Sequence, residues 1–222
     1  MQRMSAELIH ELPPPQRLAL AYSPAAARTL TAGLLALDAR IAGIVRQRGE
    51  VLMAQMRLAW WRDTLAKPAA GWPAGEPLLA QLTPWDGVRP ALVDLVNGWE
   101  ELLHEGPLPA AAMLRFARAR AGAFAALAAL LNNGAAADAA TRAGVTWALG
   151  DLVTGLSDPD ERAHALDLAR DHAGPVTRLP RVLRPLTVLD GLARRSIRRG
   201  GAPMLDGGGA FLLAIRLGLT GR

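Results

Sequence analysis

From Thr177 onward nine arginines, at positions 178, 181, 184, 194, 195, 198, 199, 216 and 222, face only two acids, Asp190 and Asp206, an excess of seven positive charges. Such a surplus suits an anionic membrane surface, a phosphate group or an acidic protein partner. The plain alternative is a solvated arginine face on a helix. Other reactive residue types are scarce. The chain has no cysteine, which removes disulfides, thiolate zinc sites and cysteine nucleophiles together. Its four histidines, His10, His104, His164 and His172, are scattered singly, which argues against a histidine-built metal site. None of the spacings GxGxxG, GxxxxGK[ST], HExxH or GxSxG occurs. Gly207-Gly208-Gly209 follows no strand pattern and reads as a flexible turn, not a phosphate cradle.

The formal charge of +5 and the isoelectric point near 11 resemble a nucleic-acid signature. Twenty-four of the 25 basic residues are arginine, however, with Lys67 the single lysine, and arginine raises an isoelectric point steeply. That usage, beside abundant alanine, leucine and glycine, points to coding bias. Nucleic-acid binding by residues 181–199 is not favoured and would require a steep salt dependence.

The elements that must position any site are helical. At 222 residues, with 51% hydrophobic and 20% charged residues, the chain is long enough for one substantial core. A single domain over 1–222 is expected, with an N-terminal segment at 1–15 and a tail helix within 200–222. Ser23-Pro24 reads as cap and first turn of a helix whose Leu30, Leu34, Leu37, Ile41, Ile44 and Val45 recur at three- and four-residue intervals. Further helices are predicted over 50–65, 88–105, 110–132, 138–154, 158–171, 181–199 and 210–219. Residues 66–90, with five prolines, read as loop around a short helix at 78–82. Asp158-Pro159-Asp160-Glu161 is a helix start, with Asp158 as cap. No stretch alternates with period two. The expected fold class is all-α.

No apolar signal core follows Met1–Glu7, and the longest apolar run, Ala121 to Leu131, falls short of the roughly 20 residues of a membrane span. A soluble, cytoplasmic protein is expected, at most peripheral to a membrane.

Several segments together resemble the squalene/phytoene synthase family. They are residues 22–28, beginning Tyr22-Ser23-Pro24; residues 33–46, which hold Asp38, Arg40 and Arg46; Arg57-Leu58-Ala59-Trp60-Trp61-Arg62-Asp63; residues 116–122; residues 143–155; and residues 180–186. The likeness spans about residues 16 to 200. It implies an isoprenoid-synthase-like helical bundle around a central cavity. It also implies enzymes that join prenyl diphosphates head to head, with magnesium held by aspartate-rich motifs on two facing helices. Magnesium needs oxygen ligands, and carboxylates one helical turn apart can share a metal cluster.

Laid onto this chain, those aspartate positions fall on Ala42, Gly43 and Arg46 and on Gly155 and Pro159. The resemblance therefore points to a branch that has lost its metal motifs, similar to the family's respiratory complex I assembly factor. A non-catalytic binding or assembly protein is expected, with no cofactor. Its ligand would be an isoprenoid or another hydrophobic molecule. Its partner would be a protein or an anionic membrane met through the basic C-terminal region. The alternative is an active prenyl transferase in which Arg28, Arg40, Arg46, Arg57 and Arg62 clamp the diphosphate by bidentate hydrogen bonds. That clamp needs no metal; a shifted metal site at Asp38 and Asp151 is a separate alternative, and magnesium is expected only if the protein is an active transferase. Trp61 is a candidate wall for the ligand. Trp60, Trp61, Trp99 and Trp147 all read first as core packing.

Overall fold

The computed structural model describes residues 9–47, 51–104 and 106–222, and every regular element among them is helical. From residue 14 the described residues form, in chain order, α1 Pro14–Ala21, α2 Ala25–Arg46, α3 Val51–Ala66, α4 Pro77–Leu82, α5 Arg89–Glu100, α6 Ala110–Leu130, α7 Ala137–Gly155, α8 Pro159–His172, α9 Arg184–Arg198 and α10 Gly208–Thr220. Short 3-10 turns cover Ala69–Gly71, Thr83–Val88, Gly134–Ala136 and Arg181–Leu183, so the proline-rich stretch is more ordered than a loop. No helix among the described residues is long and apolar enough to cross a membrane.

Two helix ends depart from the sequence expectation. Ser23 does not cap α2: Pro24 takes the cap position, and the Ser23 hydroxyl donates to the Pro24 carbonyl at 3.5 Å. The helix expected to reach residue 105 stops at Glu100. There the Leu102 and Leu103 N–H groups turn back onto the Trp99 and Glu100 carbonyls and close the end with tight turns. Residue 50, the expected start of α3, and residue 105 lie outside the described residues, as do residues 1–8. At α8 the expectation holds. Asp158 accepts from the Asp160 and Glu161 N–H groups, with Pro159 in the first turn. Glu161 does not close a capping box; its carboxylate accepts from Leu108 N–H at 2.8 Å and ties α8 to the turn before α6.

Neighbouring helices form a chain α3–α5–α6–α7–α9–α10. Helix α2 lies across α4, α5 and α6, α8 backs onto α7, and α1 packs on α9. Helices α6 and α7 approach closely in the middle of the bundle. A Cβ on Gly144 would stand 2.7 Å from Ala121 Cα, nearer than real Cβ contacts come, so the absence of a side chain there lets the two backbones touch. Around this seam the largest fully buried side chains are Trp85, Trp99, Trp147, Phe116, Phe124 and, among them, Arg120.

Candidate functional site

Helix α6 explains how an arginine comes to be buried. Its inward face carries Met113, Phe116, Ala117, Ala121, Phe124, Leu127 and Ala128, and Arg120 falls in the same phase, four residues from both Phe116 and Phe124. The periodicity that drives the helix into the core thus carries the guanidinium with it. A buried charge is costly unless it is paired and hydrogen-bonded. Here it is both.

Arg120 grips Asp38 of α2 side-on, donating from Nε to Oδ1 at 2.9 Å and from Nη2 to Oδ2 at 2.6 Å. Its Nη1 donates to Asp151 Oδ2 of α7 at 2.9 Å. The Arg120 and Asp38 side chains are 1% and 3% exposed, so this pair is cut off from water. Asp38 takes two further donors: Trp99 Nε1 of α5 at 2.8 Å on Oδ1 and Gln16 Nε2 of α1 at 3.1 Å on Oδ2. Five helices therefore meet on one carboxylate–guanidinium–carboxylate bridge. The guanidinium carbon lies 3.9 Å from the centroid of the Trp147 ring and 5.1 Å from those of Trp99 and Phe116, where the ring faces favour a cation. Burial pulls the Arg120 pKa down, but the charges of Asp38 and Asp151 and their hydrogen bonds outweigh it, leaving the group above its ordinary value.

Beside the bridge the ends of α2 and α7 face each other across a narrow cleft. Arg46 reaches Asp151 at 3.8 Å, lies 5.6 Å from the Trp99 ring centroid, and stands 3.6 Å from where a Gly155 Cβ would be. A cavity of about 180 Å³ opens there, lined by Gln16, Asp38, Ala42, Gly43, Arg46 and Asp151 among others. A second, of about 140 Å³, adjoins it at Arg46, Trp99, Asp151 and Gly155. The structure thus brings together Asp38, Ala42, Gly43, Arg46, Asp151 and Gly155. Pro159 lies apart: α7 ends at Gly155 because Leu156 turns extended, and Pro159 opens α8.

The other arginine candidates are engaged elsewhere. Arg28 donates to the Leu20 carbonyl, Arg57 to the Gln47 side chain and Arg62 to Glu100 at 2.6 Å. Arg40 pairs with Glu76 at 3.3 Å and lies 3.8 Å from Glu11. None of these four lines either cavity of the cleft. Trp61 is buried, packing edge-on to the half-exposed Trp60.

Around the bridge Arg46 and Arg120 balance Asp38 and Asp151, while Glu11, the third acid lining the larger cavity, lies 3.8 Å from Arg40. Both carboxylates that would have to turn their oxygens to a magnesium ion already accept from Arg120. Asp38 has no oxygen left free for a cation and Asp151 has given Oδ2 to Arg120, so the donor set does not fit a metal. Among the described residues no three His, Cys, Asp or Glu side chains are grouped to hold one. One acceptor remains open: Gln16 Oε1 is buried and has no donor among the described residues. Sequence reasoning passed over Arg120 and Gln16. The available signal was the phase of Arg120 on the apolar face of α6.

A second polar cluster sits on α9. Arg194 Nε donates to both Asp190 oxygens at 2.9 Å, and its Nη1 donates to the Gly174 carbonyl at 2.6 Å. Burial pushes the Asp190 carboxyl above the ordinary carboxylate range, against the hydrogen bonds and charge of Arg194. A carboxyl that titrates higher folded than unfolded adds stability that is complete below its unfolded value, roughly pH 4. That stability is lost as pH rises through the folded value. Asp190→Asn removes this dependence. Urea midpoints of the parent, taken relative to the variant, are expected to decline from about pH 4 toward neutrality. A difference that grows with pH would contradict the assignment.

No family model, no curated protein and no solved structure matches the chain.

Proposed function

We propose that this chain is a divergent squalene/phytoene synthase-like protein that does not condense prenyl diphosphates and acts as a non-catalytic binding or assembly factor. The isoprenoid-synthase-like character of the bundle belongs to the same proposal, as does a soluble, cytoplasmic location at the edge of a membrane. The observation that carries it is the Arg120 bridge. Where the family resemblance calls for carboxylates free to hold magnesium, Asp38 and Asp151 are both tied to a guanidinium, and Ala42, Gly43, Arg46 and Gly155 supply no oxygen from a carboxylate.

The size of the cleft supports the same reading. Ligand sites commonly enclose about 300–1,000 Å³, whereas the two cavities here measure about 180 and 140 Å³. Two prenyl chains do not fit in either. The side of α3 bearing Leu52, Met53, Met56 and Trp60 is exposed, and contiguous apolar surface of this kind is typical of a face that a protein partner covers.

The arginine-clamp reading retains one residue, Arg46, which is half-exposed at the cleft mouth. It requires binding of inorganic diphosphate in the presence of a chelator, lost in Arg46→Ala. The decisive experiment incubates the purified protein with farnesyl and geranylgeranyl diphosphate plus magnesium. No condensation product above a heat-denatured control is expected; sustained turnover would sink the non-catalytic reading.

A further inference from the structure

Helix α10 is apolar on nearly every side. Ala210, Ala214 and Leu217 are buried, and Leu217 packs so closely on α9 that a Cβ on Gly191 would collide with it. The opposite face carries Phe211, Leu212, Ile215 and Leu219, with Leu212 70% and Leu219 72% exposed. A helix apolar all round is normally enclosed on all sides. This one is covered on one side only.

Basic groups line one flank of that open face. Arg216 lies on it, between Leu212 and Leu219. A pocket of about 390 Å³ beside α10 is lined by Arg178, Arg194, Arg198, Arg216 and Arg222, with Asp190 as the acid there. Asp190 is taken by Arg194. Among the described residues the side chains of Arg178, Arg198 and Arg216 join no ion pair. Crowding of like charge is already felt at Arg184, whose pKa is held below its ordinary value by burial and by Arg181.

We infer that α10 docks on an anionic lipid bilayer. Phe211, Leu212, Ile215 and Leu219 sink into the boundary between headgroups and acyl chains, and Arg178, Arg198 and Arg216 meet the lipid phosphates. Interfacial helices combine these two ingredients, and basic residues strengthen their attraction to anionic leaflets. A guanidinium suits phosphate oxygens through its planar fork of donors. Charge decides between the occupants. A second copy of the chain laid on this face would set one arginine rim against another, whereas an anionic leaflet neutralises the rim. A nucleic acid would match the arginines but not the four exposed apolar side chains between them. At 13 residues, α10 lies on the bilayer and does not span it.

This inference deepens the peripheral placement proposed above and is independent of the catalytic question. Loss of vesicle binding leaves the non-catalytic reading standing, and formation of a prenyl product leaves this one standing. The test is co-sedimentation of the full chain with phosphatidylcholine vesicles containing 30% phosphatidylglycerol, and with phosphatidylcholine alone, at low and high salt.

Binding to the anionic vesicles at least about tenfold tighter than to the neutral ones, and weakened by salt, is expected. The double variants Leu212→Ser/Leu219→Ser and Arg198→Glu/Arg216→Glu should each reduce it about tenfold or more with an unchanged helical circular dichroism spectrum. All four side chains are exposed, so the fold does not depend on them. Equal binding to both vesicle types, no binding at low salt, or a dimer that Leu212→Ser/Leu219→Ser dissolves would each overturn the inference.

Discussion

Arg120→Met is expected to lower folding stability by about 3–5 kcal/mol, because it leaves the Asp38 carboxylate buried without a counter-charge. Gln16 and Trp99 would still donate to Asp38, but neither carries charge. At roughly 2–4 °C per kcal/mol for a chain of this size, the melting temperature should fall by on the order of 10 °C. Removing the stranded charge as well should restore much of the loss, since a buried ion pair replaced as a unit is often close to neutral. Asp38→Asn placed on Arg120→Met is therefore expected to be more stable than Arg120→Met alone. Thermal unfolding of the two variants and the parent checks this. A shift below about 2 °C for Arg120→Met, or no recovery in the double variant, would mean that the bridge does not join α2, α6 and α7 energetically.

Trp147 is expected to separate two substitutions widely. Its ring underlies the Arg120 guanidinium at 3.9 Å and meets Phe124 edge-on at 5.4 Å between centroids. Trp147→Ala opens a cavity at the α6–α7 seam, removes the face on which the cation rests, and should cost about 3–5 kcal/mol. Trp147→Phe keeps an aromatic face. It also removes the indole N–H, which is buried and has no acceptor among the described residues. An unpaired buried donor costs about 1–3 kcal/mol, so its removal offsets part of the lost volume. The phenylalanine variant should therefore lose less than half of what the alanine variant loses. Chemical denaturation measures both. Equal losses would show that the ring's face contributes little beyond the volume it fills.

Much of the fold was legible one segment at a time. On α2 the spacing placed Leu30, Leu34, Leu37, Ile41, Ile44 and Val45 inward; the structure buries Leu34, Leu37, Ile41 and Ile44 and leaves Leu30 and Val45 partly buried at the edge of the core. At α8 a capping aspartate and a first-turn proline marked the start to the residue. Such signals are local: a helical period of 3.6 and a side chain bonding its own backbone need no distant partner. The end of α5 was less legible, because residues 101–104 are compatible with helix and the tight turns that end it carry no glycine or proline of their own.

Helical class, element order and the basic tail were determined by the sequence, because apolar period, caps and breakers act between near neighbours. The bridge was decided only by the tertiary structure. Arg120 meets Asp38 across 82 positions and Asp151 across 31, and no local rule says which carboxylates a buried arginine will find. The same holds for α10. Its apolar character is written in its residues, but which side faces α9 and which faces outward beside Arg198 and Arg216 depends on where the neighbouring helices stand. Pairing of buried charge and covering of apolar surface are set by what surrounds a side chain in space, and chain separation does not encode that.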